Sequence, residues 1–180
     1  MIDLAGPGGQ PRRAAPLAWQ RPMQASDLPA VLAMESATYR FPWSRANFVD
    51  SLAAGYLAWV RHGAQQQLLA YCVAQPGFEE THLLNLTVAP DQQRQGHGWA
   101  LLAALAAWAQ QRGDAALWLE VRQSNAAGRA LYAAAGFDDV GQRRAYYPAE
   151  HGQREDAVVM RLALRPGGDA LDARASDALV

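Results

Sequence analysis

Hydrophobic residues recur along the chain at two spacings, a two-residue alternation typical of strands and a three-to-four-residue spacing typical of helices. The alternating stretches predict strands over residues 17–24, 56–61, 67–75, 81–88, 116–121, 137–146 and 156–164. The helical spacing predicts helices over residues 26–37, 44–55, 98–112 and 125–135. The resulting order, β-α-α-β-β-β-α-β-α-β-β, is rich in strands and has helices that can cover the faces of a sheet. It favours a mixed α/β sandwich.

Residues at the ends of the predicted helices indicate where they start and stop. Ser26 is expected to cap the first helix and Ser44 the second, because a serine hydroxyl can accept a hydrogen bond from a first-turn amide. Trp43 and Phe48 flank the start of the second helix at the spacing of a hydrophobic staple. Gly113 is expected to end the third helix in a left-handed conformation.

The bulk composition is that of one folded domain. The chain has 180 residues, of which 51% are hydrophobic and 18% are charged. The segments 1–16 and 166–180, rich in small and polar residues, are expected to be disordered tails around a single domain at 17–165. The formal net charge is -1 and no block of Lys or Arg occurs, so no direct contact with nucleic acid is expected.

Compartment and metal content are predicted from what the sequence lacks. It has no uninterrupted 18-residue apolar stretch and no signal-peptide core, so neither membrane association nor secretion is expected and the cytoplasm is the predicted location. The single cysteine, Cys72, is expected to be buried in a strand. His62, His82, His97 and His151 are scattered and predict no metal site, and His97 is expected to be exposed.

A glycine-containing turn between a strand and a helix is the most informative local pattern. The strand ends at Val88, and Gly96 and Gly98 precede a long helix. The first amides of a helix have no partner within it, and glycine lets backbone approach an anion, so such a turn can hold a pyrophosphate. The pattern lacks the Lys-Ser/Thr pair of a P-loop, and Leu101 stands where a dinucleotide fingerprint needs its third glycine. An ordinary helix-start turn is the alternative.

Several stretches of the chain together resemble the GNAT family of N-acetyltransferases. QRQGHG at 93–98 is similar to the family signature Q/R-x-x-G-x-G/A. It is accompanied by FPW at 41–43, LNLTVAP at 84–90, LWLEVRQSNAAGRALYAAAGF at 117–137 and RRAYYP at 143–148. The resemblance implies an α/β fold whose mixed, mostly antiparallel sheet is splayed into a V between the fourth and fifth strands. Acetyl-CoA, the implied cosubstrate, would lie in that V.

The resemblance also implies which residues contact the coenzyme. They lie on the splayed strand, in the glycine turn and at the start of the last helix: Leu86, Thr87, Val88, Arg94, Gln95, Gly96, His97, Gly98, Trp99 and Asn125. Trp99 departs from the family, whose members often carry a basic or small residue there. An indole cannot pair with a phosphate charge, although its backbone amide can still donate, so the departure concerns coenzyme affinity. Asn125 has a second interpretation as the N-cap of its helix.

Acetyl transfer from a thioester needs a neutral amine, a stabilised oxyanion and a proton for the departing thiolate. Alternation along strand 116–121 places Glu120 with Trp118 and Arg122 on the face away from the apolar side chains. The resemblance implies that Glu120 is the base and Tyr132 the acid. From the residues alone, Glu120 could equally be a solvated carboxylate paired with Arg122, and Tyr132 a packing residue.

Proton chemistry favours an α-amine acceptor. Its reference pKa is roughly 8 against roughly 10.4 for lysine, so at pH 7 about one α-amine in ten but only about one lysine in 2,500 is neutral. The resemblance implies a protein N-terminus as acceptor, the N-terminal alanine of a small-subunit ribosomal protein. Phe41, Pro42 and Trp43 are expected to form one wall of a peptide groove, and Tyr146 and Tyr147 the other. Peripheral core packing is the alternative for these aromatic residues.

Two other functions are compatible with the sequence. One is acetyl transfer to lysine or to a small-molecule amine, and the other is acyl-CoA binding without catalysis. A monomer or weak dimer is expected for the assembly.

Overall fold

The computed structural model describes residues 18–164, so the predicted tails at 1–16 and 166–180 lie outside the described residues. Within this range the strands are β1 Trp19–Pro22, β2 Leu57–His62, β3 Leu68–Pro76, β4 Glu80–Val88, β5 Ala116–Arg122, β6 Asp138–Pro148 and β7 Arg154–Ala163. The α-helices are α1 Leu28–Thr38, α2 Arg45–Ala53, α3 His97–Arg112 and α4 Ala126–Ala134. Each predicted strand and helix is present, in the predicted order.

Most of the predicted helix ends are confirmed by their contacts. The Ser44 hydroxyl accepts the amide of Asn47 at 3.3 Å, and the Trp43 and Phe48 rings pack with centroids 5.3 Å apart. Gly113 has φ 89°, the left-handed conformation that ends α3. The predicted cap at Ser26 is wrong. Residues 25–27 form a 3₁₀ turn instead, in which the Asp27 carboxylate accepts the amide of Gln24 at 2.8 Å, and α1 begins only at Leu28.

The strands form one mixed sheet in the order β1-β2-β3-β4-β5-β7-β6. All neighbours are antiparallel except β4 and β5, which run parallel and are connected by a crossover through α3. This is the mostly antiparallel α/β architecture that the sequence predicts.

The predicted splay between β4 and β5 is confirmed by the register of the sheet. These strands pair only from Glu80 with Ala116 to Leu83 with Leu119. Beyond that point β4 stays paired with β3 as far as Val88, and β5 stays paired with β7 as far as Arg122. The second halves of β4 and β5 therefore part, and the backbone edges that face the gap have no strand partner.

A bulge in β4 accompanies the splay. Ala74 of β3 faces Leu83, but the adjacent Val73 faces Asn85, so Leu84 is an extra residue in the ladder. An extra residue inverts the alternation of side chains between the two faces of a sheet. Leu83 consequently packs with α3, whereas Asn85 and Thr87 point to the side of α1.

The core consists of two layers, one on each face of the sheet. On one face, buried residues of α3, β5 and β7, including Leu105, Leu119 and Met160, surround Cys72 of β3. On the other face, α1 and α2 cover β2 and β3. Cys72 is buried as predicted, and burial raises the pKa of its thiol to about 12.

Candidate active site

The glycine turn leads into the N-terminus of α3 beside the gap. Gly96 has φ 87°, and its carbonyl accepts the first helical amide, that of Ala100, at 2.9 Å. The amides of His97 and Gly98 precede that bond and have no carbonyl of their own helix to which they can donate. Space is open beside Gly96, where a Cβ would meet nothing within 4 Å. The turn thus has the form of an anion site.

Gly98 also lies where two helices and a strand pack closely together. A Cβ at this position would lie 3.3 Å from Leu131 Cδ2 and 3.4 Å from Val88 Cγ2. The residue lets α3 approach α4 and the splayed end of β4. A side chain at this position would disturb that packing, and the predicted contact of the Gly98 backbone with the coenzyme stays a prediction.

His97 is buried, so the prediction that it is exposed is wrong. It is 1% exposed, and its Nδ1 accepts a hydrogen bond from Arg61 Nε at 3.3 Å. The imidazole ring is buried where α3 crosses β2 and β3. Burial, followed by the charge of Arg61, lowers the pKa of the imidazole.

The Trp99 side chain is engaged in apolar packing. Its indole packs against the core cluster on the α3 face and lines a crevice with Leu102, Ala103, Ala106, Ala135 and Leu162. Any contact of Trp99 with the coenzyme would therefore run through its backbone, and that contact stays a prediction.

Asn125 caps the helix that carries Tyr132. Its Oδ1 accepts the amide of Gly128 at 2.9 Å, which confirms the interpretation as an N-cap. A Cβ on Gly128 would come within 2.8 Å of the Asn125 amide nitrogen, so glycine keeps this cap compact.

Glu120 lies on the predicted face of β5, on the half of the strand that has parted from β4. Its side chain is 15% exposed and pairs with Arg143 of β6 at 3.0 Å. The partner suggested by the sequence, Arg122, instead pairs with Glu155 at 3.2 Å. The backbone carbonyl of Glu120 accepts the Tyr147 hydroxyl at 2.9 Å.

Tyr132 of α4 lies near Tyr39 and Tyr147, whose hydroxyls bond carbonyls on the two strands that part, β4 and β5. The residue is 8% exposed and its ring packs on Phe137 with centroids 5.8 Å apart. Burial raises the pKa of its phenol, and Tyr39 and Tyr147 are close enough to raise it further.

Comparison with known proteins identifies the family. The model of the acetyltransferase (GNAT) family matches residues 28–137. The chain is 42% identical over 144 residues to the ribosomal protein bS18-alanine N-acetyltransferase of Escherichia coli K12, an alignment that covers 79% of this chain and 95% of that relative. The chain belongs to the GNAT acetyltransferase family. It is therefore an N-acyltransferase.

A second relative and a solved structure agree with this assignment. The protein is 38% identical over 138 residues to the enzyme of the same name from Haemophilus ducreyi, with 77% of this chain and 94% of that one covered. It superposes on the crystal structure of the ribosomal-protein-S18-alanine N-acetyltransferase from Escherichia coli with a TM-score of 0.77 at 39% identity. That superposition covers 85% of this chain and 97% of the other.

A polar network behind the splayed strand of this GNAT fold was missed by sequence reasoning. Its centre is Glu35 of α1, which is 1% exposed. The carboxylate accepts the amide of Trp43 at 2.9 Å, the hydroxyl of Tyr71, the Asn85 side-chain amide at 3.3 Å and the Thr87 hydroxyl at 3.4 Å. Glu35 thereby joins the FPW segment to the strand that is predicted to hold the coenzyme.

Two tyrosines complete this network. Burial, followed by the charge of Glu35, raises the pKa of Tyr71. Tyr39 donates its hydroxyl to the carbonyl of Leu86 at 3.1 Å, on the splayed strand. The one signal in the sequence was the position of Glu35, which falls on the apolar stripe of α1 with Val31 and Met34.

The predicted walls of the peptide groove divide into structural and exposed residues. Trp43 is partly buried and packs against the core cluster of α1 and α2, and its place in a peptide groove stays a prediction. Phe41 and Tyr146 are each 40% exposed, and the Tyr146 ring meets that of Tyr147 at 4.9 Å. Pro42 precedes Trp43 in the same segment.

The two wall tyrosines project from a bulge in the β6–β7 ladder. Arg143 faces Ala157 and Tyr147 faces Glu155, so three residues of β6 oppose one of β7. The amide of Ala145, which has φ 50°, donates to Asp156 at 2.8 Å and holds the bulge in place. Bulges of this kind redirect side chains at the edge of a site.

Residues 18–164 contain neither a membrane-spanning helix nor a cluster of metal ligands. No helix in this range is long and apolar enough to span a membrane. The same range has no group of three or more His, Cys, Asp or Glu residues that could hold a metal ion.

Proposed function

We propose that the protein transfers the acetyl group of acetyl-CoA to the N-terminal α-amine of a protein, with the N-terminal alanine of ribosomal protein bS18 as the substrate. The observation that carries the proposal is the gap between β4 and β5, with Glu120 on one side and Tyr132 beside it. The names of two relatives, which are 42% and 38% identical and align over almost their full length, support this acceptor.

The residues around the gap fit acetyl-CoA as a cosubstrate. The open edge of β4 offers backbone groups at Leu86 and Val88 to an extended ligand, because β5 no longer pairs there. The N-terminus of α3 offers amides to a pyrophosphate, with open space beside Gly96. An elongated molecule with a phosphate at one end and a thioester at the other suits these two features together.

Glu120 is proposed as the group that accepts the amine proton. It lies on the half of β5 that has parted from β4, and its carboxylate is only partly exposed. An α-amine needs little help from this base, since roughly a tenth of such amines are already neutral at pH 7. Attack of the amine on the thioester carbonyl forms the new C–N bond and an oxyanion, for which the unpaired backbone amides of β4 are candidate donors.

Tyr132 is proposed as the donor to the departing thiolate. Its raised pKa keeps the phenol protonated throughout the physiological range. The same shift makes it a weaker acid than a phenol in water. The proton therefore has to move as the C–S bond breaks, when the sulfur is most basic.

A panel of acceptors tests the function directly. We expect turnover with a peptide bearing a free N-terminal alanine, and little with the same peptide after N-terminal blocking, even if it contains an internal lysine. Turnover on the blocked lysine peptide but not on the free terminus would refute the proposed acceptor. Binding of acetyl-CoA without turnover on any amine would refute the enzymatic function.

Two variants test the assigned roles. Glu120→Gln and Tyr132→Phe are each expected to lower kcat by roughly 10²–10⁴-fold, the range usual for loss of general acid–base catalysis, while leaving acetyl-CoA affinity close to wild type. Wild-type turnover by both variants would exclude these roles. Phe137→Leu is a matched control, since Phe137 contacts the Tyr132 ring but carries no titratable group.

A further inference from the structure

Arg122 contacts both predicted walls of the acceptor groove. It ends β5, two residues after Glu120. Its guanidinium carbon lies 4.5 Å from the ring centre of Tyr147 and 5.6 Å from that of Phe41. Its Nη1 donates to the carbonyl of Pro148 at 2.9 Å and to the Glu155 carboxylate at 3.2 Å. One side chain thus connects the segment after α1 to the end of β6.

An ion pair that also joins these two segments is much more exposed than Arg122. Arg40 pairs with Glu150 at 2.6 Å, but their side chains are 70% and 50% exposed. Ion pairs in that environment contribute little, because solvent screens them and two long side chains lose conformational freedom. Arg122 is 25% exposed and Glu155 is 23% exposed, so their interaction is better protected from water.

The chemistry of the contact requires arginine. A guanidinium is planar, so it can lie against aromatic faces while its N–H groups donate in the plane. An ammonium concentrates its charge at one point and lacks this geometry. Glu155 is itself fixed, because its second carboxylate oxygen accepts the amide of Ser124 at 2.6 Å.

We propose that Arg122 is a positioning residue that sets the separation of the Phe41 and Tyr147 walls, and so favours a peptide N-terminus over a small amine. The inference rests on the proposed function. Tyr147 is also bonded to the carbonyl of Glu120, so the wall that Arg122 holds is tied to the strand that carries the proposed base. A peptide must fit between both walls to bring its amine to Glu120, whereas a small amine needs contacts near Glu120 only.

The test compares Arg122→Met with Arg161→Met. Arg161 also lies over an aromatic ring, 5.5 Å from the centre of Trp118, but towards the opposite end of the β5–β7 ladder. The kcat and KM values are measured at saturating acetyl-CoA for an N-terminal alanine peptide and for a small primary amine. For Arg122→Met we expect the peptide KM to rise about tenfold, as the loss of its two cation–π contacts implies, and the ratio of peptide to small-amine kcat/KM to fall accordingly. Arg161→Met should keep the wild-type ratio.

A further variant separates charge from shape. Arg122→Lys keeps the charge but not the planar group, so its peptide KM should lie near that of Arg122→Met. Full recovery by lysine would show that charge alone matters and would overturn the stacking role. A loss that appears in kcat instead of KM, or that Arg161→Met shares, would overturn the positioning role.

Failure of this inference can be distinguished from failure of the proposed function. If the wild-type protein acetylates the peptide and Arg122→Met does so with an unchanged KM, only the role of Arg122 is refuted. If the wild-type protein acetylates small amines but not the peptide, the proposed function is refuted and the role of Arg122 with it.

Discussion

Replacing Glu35 by alanine tests whether the buried network stabilises the parted strand. Glu35 accepts hydrogen bonds from Trp43, Tyr71, Asn85 and Thr87. Thr87 keeps an acceptor after the change, because Asn85 Oδ1, at 2.9 Å, lies closer to its hydroxyl, which has a single proton to donate, than Glu35 does at 3.4 Å. The amide of Trp43, the hydroxyl of Tyr71 and the side-chain amide of Asn85 lose the acceptor that the carboxylate provides.

The magnitude follows from these three donors. Each buried donor left unsatisfied costs about 1–3 kcal/mol, which gives roughly 3–9 kcal/mol for the three. Removing the carboxylate also removes the cost of burying its charge, because no cation within residues 18–164 pairs with Glu35, so the loss should fall in the lower half of that range. We expect Glu35→Ala to lose about 4 kcal/mol of unfolding free energy, a large part of the 5–15 kcal/mol typical of a domain.

Urea unfolding at neutral pH measures this loss as a shift of the midpoint at constant slope. Glu35→Gln keeps an oxygen acceptor for Trp43 and should lose only about 1 kcal/mol. Asp50→Ala is the control, because Asp50 is an exposed residue of α2 and its replacement should change stability by less than about 0.5 kcal/mol. If Glu35→Ala were as stable as Asp50→Ala, or no less stable than Glu35→Gln, the reasoning would be refuted.

Three further predictions follow from single residues. Gly96→Ala forces a side chain into the left-handed region at φ 87° and should lower the free energy of unfolding by about 1–2 kcal/mol in thermal melts, whereas a wild-type melting curve would contradict the strain. The pKa of His97 is lowered by burial, so the folded protein binds fewer protons than the unfolded chain below the reference value of 6.5. Stability should be complete above pH 6.5 and decline as the pH falls through that value towards the lower folded pKa. Urea midpoints at pH 7.5 and 5.5 should differ less in His97→Gln, and an equal difference would count against the assignment. Cys72, whose thiol pKa is raised to about 12 by burial, should resist alkylation by iodoacetamide in the native state and react after unfolding, and rapid native labelling would contradict its burial.

Much of the fold follows from the sequence because periodicity and end signals agree. The alternation in residues 81–88 and 116–121 predicts β4 and β5, which the structure contains. Gly113 ends α3, as predicted. The splay was expected only through the family resemblance, since nothing in the hydrophobic pattern marks where two paired strands separate. The error at Ser26 arose because Asp27, one residue further on, satisfies the amide of Gln24 and moves the start of the helix.

The candidate site was predicted less completely because its residues depend on tertiary contacts. Glu120 could be placed on the correct face by alternation, but its partner Arg143 comes from a strand whose register contains a bulge that local sequence does not specify. His97 was misjudged for a similar reason. A histidine in a glycine turn is usually solvated, and here the crossing of α3 over the sheet buries it.

The bulge at Leu84 links the gap to the buried network. The extra residue turns Asn85 and Thr87 towards α1, and the pairing of β4 with β5 ends at the same point. A strand that loses a neighbouring strand also loses the backbone hydrogen bonds along that edge. Side-chain contacts on one of its faces must then hold the strand in place for the gap to stay open. Glu35 provides this anchor through side chains that could not reach it without the bulge. Burying a carboxylate in an apolar layer costs free energy. Its presence here is explained if it holds the open strand, on which coenzyme binding is proposed to depend.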